Sequence, residues 1–130
     1  MIASMEPVLD DAEYVFCSFT GGTAVETALA CALASFAEDE GPSLVLRMED
    51  AQAMGLDTEP AMRRITLSVY SPLAGVGLTA AVSGRLSDAG IACNVIAAYH
   101  HDHLFIPVGD ADRAMQLLQE LQAEARSARS

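Results

Sequence analysis

Four consecutive polar residues, His100, His101, Asp102 and His103, are the first candidates for chemistry in this sequence. Imidazole and carboxylate groups are common ligands of zinc and iron. Alternate residues of an extended segment share a face, so His101 with His103, or His100 with Asp102, could hold one ion, but all four could not. The chain has no other histidine, so a metal site would need a carboxylate from elsewhere or from a second subunit. We therefore expect a solvated or partly packed hairpin turn without a metal.

The second candidate is the turn from Ser71 to Thr79, where glycines lead from a predicted strand to a predicted helix. The first N–H groups of a helix have no acceptor within it, and the helix dipole attracts anions to that end. A ligand carboxylate is therefore the expected occupant. Asn94, which is polar within an otherwise apolar strand, is the expected side-chain contact. The alternative is that the glycines only form a tight turn and that Asn94 bonds to the backbone.

The stretch from Gly75 to Ala80 also matches the dinucleotide-binding pattern G-x-G-x-x-G/A. The rest of that unit is missing. The strand that follows ends in Ala97, Ala98 and Tyr99, with no acid to bind a ribose hydroxyl. The next connection is a predicted hairpin, and 130 residues are too few for a full dinucleotide-binding sheet. We expect no nucleotide and no other cofactor.

Motifs for catalysis are equally scarce. The sequence has no G-x-S-x-G, no H-E-x-x-H and no cysteine with a plausibly placed histidine. The acids are scattered as on a solvated surface, and the run Glu38-Asp39-Glu40 before Gly41 predicts an exposed turn. A role of this run in attracting a cationic ligand is the minor interpretation. The sequence therefore favours a binding protein over an enzyme.

The charge balance restricts the partners. The chain has 18 Asp and Glu against 7 Arg and no Lys, for a net charge of −11. Residues 1–62 contain 12 of the acids and one base, Arg47, whereas residues 63–130 contain six of each. Such a chain is repelled by nucleic-acid phosphates and by anionic lipid, so we expect neither as a partner.

The N-terminal sequence and the cysteine usage predict a cytoplasmic protein. The first residues resemble no secretion signal. Cys17, Cys31 and Cys93 are odd in number and form no C-x-x-C, which predicts three reduced, mostly buried thiols. The charge-free run from Ile65 to Gly84 is as long as a membrane span, but proline and glycines interrupt it. We interpret it as a strand, a turn and a helix.

The second half of the chain predicts the element order strand, helix, strand, strand, helix. Ile65, Leu67 and Val69 alternate with polar residues, as in a strand with one buried face. A helical stripe then runs from Leu78 to Gly90, which is placed as a C-cap glycine. Strands are predicted for Ile91 to Ala98 and for His103 to Val108, the latter with Leu104, Ile106 and Val108 on one face. A last helix follows Gly109 and Asp110, with a frayed tail from Glu124. This is the split βαβ unit of a ferredoxin-like sandwich without its final strand.

The first half supplies candidates for that missing strand, namely the predicted strands Glu13 to Phe19 and Ser43 to Arg47. The alanine-rich stretch before Phe36 favours a helix by propensity, but the turn that follows favours a strand from about Leu33 to Ala37. A short helix is predicted from Glu49 to Met54, with Gly55 at its end.

Several of these segments together resemble the ACT-domain proteins, in particular the small bacterial stand-alone members related to the arginine-sensor type with paired ACT units. They are the strand ITLSV, the turn SPLAGVGLTA, the strand AGIACNVIA and the hairpin YHHDHLFIP. The match is strong over residues 63–121. It extends more weakly to EYVFCSF and to SFAEDEGPSLVLR in the first half.

The resemblance implies an α+β, ferredoxin-like ACT sandwich at residues 63–130, preceded by an incomplete, strand-rich ACT-like unit at residues 1–62. It implies a regulatory homodimer that binds an amino-acid-like effector where ACT units meet; a protein–protein interaction module without a ligand is the alternative. The expected ligand-binding residues are Ser71, Leu73, Gly75, Val76, Gly77, Leu78, Thr79 and Asn94.

Overall fold

A computed structural model describes residues 2–20, 24–68 and 77–129. Five elements occur in the first part of the chain: β1 (Val8–Ser18), α1 (Ala24–Cys31), β2 (Ala34–Glu38), β3 (Gly41–Arg47) and α2 (Met48–Ala53). Five follow in the same order: β4 (Met62–Ser68), α3 (Leu78–Asp88), β5 (Asn94–Ala97), β6 (His101–Pro107) and α4 (Ala111–Arg129). Short 3-10 turns cover Ile2–Ser4 and Val108–Asp110. The order βαββα therefore occurs twice.

The chain divides into two compact units, one of residues 12–62 and one of residues 1–11 with 63–130. The predicted ranges, 1–62 and 63–130, assign the first eleven residues differently. The helices of the first βαββα set have 8 and 6 residues, whereas those of the second have 11 and 19. The first set is thus strand-rich with reduced helices.

In the unit 12–62, the strands follow the order β2-β3-β1, and both pairs are antiparallel. Tyr14 lies opposite Arg47, and Ala34 lies opposite Val45. One face of this sheet packs on the two helices and forms a core of Val15, Phe19, Ala28, Leu44, Leu46 and Ala51. Because side chains alternate along a strand, Phe16, Val45 and Phe36 lie on the opposite face.

The unit 1–11 with 63–130 has the strand order β4-β6-β5, and the start of β1 lies beside β4. Its core joins the strands to both helices and contains Met5, Ile65, Leu67, Leu78, Val82, Leu86, Ile91, Leu104, Ile106, Ala114 and Leu118. The predicted helical stripe of α3 is confirmed, since Leu78, Val82 and Leu86 are all buried. Gly90 follows α3 with φ +75°, and its N–H donates to the carbonyl of Ser87 at 2.9 Å, as expected of a C-cap glycine.

The N-terminal segment supplies the strand that the second half lacks. Arg63 donates two hydrogen bonds to the carbonyl of Asp10, at 3.0 and 2.7 Å, and the N–H of Ser68 donates to the carbonyl of Met5 at 2.7 Å. The strand beside β4 thus begins at Val8, upstream of the predicted candidates at Glu13 and Ser43. The sequence misled because Asp10 and Asp11 interrupt any hydrophobic alternation there.

The predicted frayed tail was wrong, because α4 continues to Arg129. Gln122 is buried and donates to the carbonyl of Ala3 at 2.9 Å, while Arg126 donates to the same carbonyl at 2.9 Å and pairs with Glu6. These polar residues therefore hold the last turns of α4 against the N-terminal segment. The polar sequence of this tail suggested that it is solvated. Its side chains instead bond to acceptors in the N-terminal segment, more than 110 residues away in sequence.

Other boundaries also differ from the predictions. The strand predicted near Leu33 is confirmed as β2, and the alanine-rich residues before it form α1. β5 is shorter than predicted and begins at Asn94. Leu104 and Ile106 are buried on one face as predicted, but Val108 is 37% exposed in a 3-10 turn, and Phe105 is buried on the opposite face of β6. Residues 21–23 and 69–70, the latter including Val69 of the predicted strand alternation, lie outside the described residues.

Candidate functional site

The candidate ligand-binding turn connects β4 to α3. Ser71, Leu73, Gly75 and Val76 lie outside the described residues, so the structure describes only Gly77, Leu78 and Thr79 of the turn, together with Asn94. The predicted helix start at Leu78 is confirmed.

Gly77 is the residue that turns the chain into α3. Its φ of +98° and ψ of −26° lie in the left-handed region, which residues with a Cβ rarely adopt. Its carbonyl accepts the N–H of Ala81 at 2.9 Å, which is the first hydrogen bond of the helix. The N–H groups that precede this bond have no acceptor within α3, and Gly77 has no side chain to cap them.

The burial of residues 77–79 shows which side of this helix end faces the core. Leu78 is 1% exposed and belongs to the core, whereas Thr79 and Gly77 are exposed. A Cβ built on Gly77 would meet nothing within 4 Å, so the backbone here is accessible among the described residues. The first turn of α3 thus presents N–H groups, with the positive end of the helix dipole, at an open position.

Asn94 is not at this end of the unit. It is exposed, opens β5 and lies opposite Phe105 of β6. β4 and β5 are joined through α3 with β6 between them, so they run in parallel and α3 returns along the sheet. Eleven helical residues span about 16 Å. Asn94, which follows the C-terminal end of α3, therefore lies far from Gly77 in the same chain.

A polar cluster that the sequence reasoning missed lies on the sheet face away from the helices. Oγ1 of Thr66 is 3.0 Å from Nδ1 of His103, and Arg64 pairs with Asp10 at 2.8 Å. Burial lowers the pKa of His103 below its usual value, and the charges of Arg64 and His101 act in the same direction. The sequence alternation of β4 indicates that Arg64 and Thr66 share a face. Their partners, Asp10 and His103, lie on strands that are distant in sequence.

The histidine run lies at the start of β6 and the turn before it. The ring centroids of His100 and His101 are 6.4 Å apart, and those of His101 and His103 are 6.2 Å apart. Within the described ranges, no group of three His, Cys, Asp or Glu side chains is arranged to hold a metal ion. His103 is instead engaged with Thr66.

The three cysteines are free thiols, but the prediction that they are mostly buried was wrong, since Cys17 and Cys93 are only partly buried and Cys31 is exposed. Cys31 is exposed at the end of α1, where its thiol donates to the carbonyls of Thr27 and Ala28. Burial raises the pKa of Cys93 to about 11. Burial also raises the pKa of Cys17, with a smaller effect from Asp57.

No helix in the described part of the chain combines the length and the apolar character that crossing a membrane requires.

Family comparisons agree with the repeated βαββα order. One ACT-domain model matches residues 1–63, and a second ACT-domain model matches residues 62–120. The chain belongs to the small ACT-domain proteins. The ferredoxin-like ACT fold predicted from the sequence is thereby confirmed. No curated protein matches the sequence significantly.

Solved structures show the same fold. A protein of unknown function from Vibrio cholerae, described as a possible transport protein, is 42% identical, covers 93% of this chain and 92% of its own, and has a TM-score of 0.81. The ligand-free regulatory subunit of aspartate kinase from Thermus thermophilus is 12% identical, covers 91% and 97%, and has a TM-score of 0.68. The corresponding subunit from Thermus flavus is 11% identical, covers 88% and 95%, and has a TM-score of 0.62.

Proposed function

We propose that this ACT protein regulates a partner process by binding a small amino-acid-like effector at the first turn of α3. The observation that carries the proposal is the left-handed Gly77, which opens α3 with accessible N–H groups and no side-chain cap. A carboxylate fits this position because it accepts hydrogen bonds from those groups and interacts favourably with the helix dipole. The predicted residues of the preceding turn, Ser71, Leu73, Gly75 and Val76, would complete the binding loop.

The charge balance of residues 63–130 supports a ligand that is held by backbone N–H donors. Residues 63–130 contain six acids and six bases, so this region has no excess of cationic side chains. Arg85 is paired with Glu124 at 2.9 and 2.7 Å, and Arg126 is paired with Glu6. An anion held near α3 would therefore depend chiefly on the peptide N–H groups.

The position of Asn94 supports a site shared between two copies. Within one chain, the length of α3, about 16 Å, lies between Gly77 at its start and the segment that leads to Asn94. One small ligand that touches both must take them from different molecules, with Asn94 donated by the second copy of a homodimer. Its exposed side chain at the start of β5 is accessible for such a contact.

The relatives support regulation in place of catalysis. Two proteins with this fold are described as regulatory subunits of aspartate kinase. Their identity of 11–12% supports a shared fold and carries no information on the ligand. The cytoplasmic location stays a prediction.

A thermal-shift screen of the standard amino acids tests the proposal. A ligand at about 100 times its Kd stabilises the folded state by about 2.7 kcal/mol. We expect at least one amino acid to raise the Tm of the wild type, and this shift to be lost in Gly77→Ala and reduced in Asn94→Ala.

Gly90→Ala is the matched control. Gly90 also has positive φ and open space around its Cβ position, but it follows the other end of α3. It should lose intrinsic stability to a similar extent yet keep the ligand-induced shift. If no amino acid stabilises the wild type, or if Gly77→Ala and Asn94→Ala respond as the wild type does, the effector proposal fails.

The interaction module remains the second candidate, because Phe36 on the outer strand β2 is 72% exposed. An aromatic side chain exposed to this degree at a sheet edge is typical of a contact surface. This candidate predicts no thermal shift with any amino acid, so the same screen separates the two functions.

A further inference from the structure

Residues 2–6 connect the end of β4 to the last turns of α4, and we call them the N-terminal strap. On one side, the carbonyl of Met5 accepts the N–H of Ser68, the last residue of β4, at 2.7 Å. On the other side, the carbonyl of Ala3 accepts a hydrogen bond from the buried side chain of Gln122 at 2.9 Å. The strap therefore joins two elements that are distant in sequence.

Glu6 ends the strap in a backbone conformation that costs free energy. Its φ of +44° lies in the left-handed region, which residues other than Gly, Asn and Asp rarely adopt. Such a conformation persists where other contacts compensate for it, and it is common in segments that switch. Here the Glu6 carboxylate accepts a hydrogen bond from Gln122 at 3.1 Å and pairs with Arg126. Both side chains of this ion pair are 57% exposed, so water and salt weaken it.

Met5 anchors the strap in the core. Its side chain is fully buried and belongs to the same core as Leu78, the first residue of α3. Its N–H donates to the carbonyl of Ile2 at 3.3 Å, so the anchor is part of a turn within the strap. If the strap opens, the core loses the Met5 side chain and the N–H of Ser68 loses its acceptor.

The strap lies at the end of the unit where α3 begins. Arg113, near the start of α4, donates to the carbonyl of Ala89 just after α3, at 3.2 Å. Farther along α4, Glu124 pairs with Arg85, which precedes Ala89, so the two helices are antiparallel. Gln122 is nine residues beyond Arg113, or about 14 Å, which nearly equals the length of α3 of about 16 Å. The strap contacts of Gln122 are therefore level with the start of α3.

We infer that the N-terminal strap opens and closes as a unit, and that its closed form holds the start of α3 in place. The inference rests on the proposed function only for what the strap regulates, namely the effector position at Gly77. An effector bound to the ordered first turn of α3 favours the closed strap, and closure favours binding to the same extent. The opening itself requires no ligand.

Hydrogen exchange of the full chain, followed by NMR without any amino acid, tests the inference. The exchange rate of an N–H group reports how often its hydrogen bond opens. Three groups are informative. The N–H of Ser68 donates to the strap, that of Ala81 makes the first hydrogen bond of α3, and that of Ile91 donates to Leu86 at the other end of α3.

Arg126→Gln is the test variant, because it removes the ion pair with Glu6 and a hydrogen bond to the carbonyl of Ala3. We expect the N–H groups of Ser68 and Ala81 to exchange at least about tenfold faster than in the wild type, and that of Ile91 to keep its rate. The side chain of Arg126 is largely exposed, so the variant should retain the wild-type circular dichroism spectrum.

Arg85→Gln is the matched control. It removes an ion pair between an arginine and a glutamate that also involves the last turns of α4, but it does not touch the strap. The N–H of Ser68 should therefore keep its wild-type exchange rate in this variant.

Salt provides a second measurement that needs no substitution. Raising NaCl from about 0.05 to about 0.5 M screens the exposed ion pair between Glu6 and Arg126. In the wild type, the exchange of the Ser68 N–H should accelerate at least about twofold relative to that of Ile91. In Arg126→Gln, this acceleration should be absent.

The outcomes separate this inference from the effector proposal. Unchanged exchange at Ser68 in Arg126→Gln, acceleration at Ser68 without acceleration at Ala81, or equal acceleration at Ser68, Ala81 and Ile91 would each overturn the strap. A screen in which no amino acid stabilises the protein removes the effector proposal and leaves the exchange result unaffected.

Discussion

Replacing Gly41 by alanine should unfold the unit 12–62 far more readily than any other glycine replacement at a described position. Gly41 opens β3 with φ +131°, a conformation that L side chains rarely adopt. A Cβ at this position would lie 1.9 Å from the carbonyl oxygen of Phe19 and 3.1 Å from its carbonyl carbon. Real Cβ atoms essentially never approach within 3.0 Å of such an atom. The backbone at Phe19 must therefore move by about 1 Å.

The cost can be estimated from what that shift disrupts. An unfavourable left-handed conformation costs about 1–2 kcal/mol. The N–H of Phe19 donates to the carbonyl of Pro42 at 3.1 Å, and losing this buried hydrogen bond costs about 1–3 kcal/mol more. The two costs together predict a loss of about 2–5 kcal/mol in the free energy of unfolding. In a chain of this size, that lowers the Tm by roughly 6 °C or more.

Gly90→Ala is the control for this prediction. Gly90 has φ +75°, but nothing lies within 4 Å of its Cβ position, so only the conformational cost of about 1–2 kcal/mol applies. The sequence has no Trp, so thermal and urea unfolding should be followed by circular dichroism. If Gly41→Ala is no less stable than Gly90→Ala, the close approach of β3 to Phe19 is wrong.

Two further predictions concern titration and thiol reactivity. Burial lowers the pKa of His103, so below its usual value near 6.5 the unfolded chain binds more protons than the folded one, and stability should fall as the pH decreases from about 7 to 5. His103→Gln should flatten this part of the Tm profile while the exposed His100→Gln does not; equal slopes in both variants would contradict the assignment. Cys31 is exposed, whereas burial raises the pKa of Cys93 to about 11, so iodoacetamide at pH 8 should modify one thiol rapidly. Cys31→Ser should remove that fast phase, and a fast phase that persists in this variant would show that the reasoning from exposure is wrong.

Local patterns predicted much of the second half of the chain. The alternation at Ile65 and Leu67, the helical stripe of α3 and the glycine after it depend on neighbouring residues, and each is observed. The ACT resemblance depends on the same residues. It correctly indicated the fold because side-chain period and turn chemistry are local properties.

The candidate site was predictable only in part. Sequence placed Gly77 and Leu78 at a helix start, which the structure shows. It also grouped Asn94 with them, because Asn94 is polar within an otherwise apolar strand that follows the same helix. The separation of Asn94 from Gly77 follows from the return of α3 along the sheet, which is a property of topology.

Long-range partners account for what the sequence did not predict. The first strand beside β4 depends on Arg63 reaching the carbonyl of Asp10, and the ordered end of α4 depends on Gln122 reaching Ala3. Likewise, Phe36 is 72% exposed because it lies on the edge strand β2, most of whose residues are exposed. The sequence by itself determined the elements, the fold family and the excess of acid in the first half. The tertiary structure decided which distant groups meet and which side chains stay exposed, because these depend on strand order and register in space.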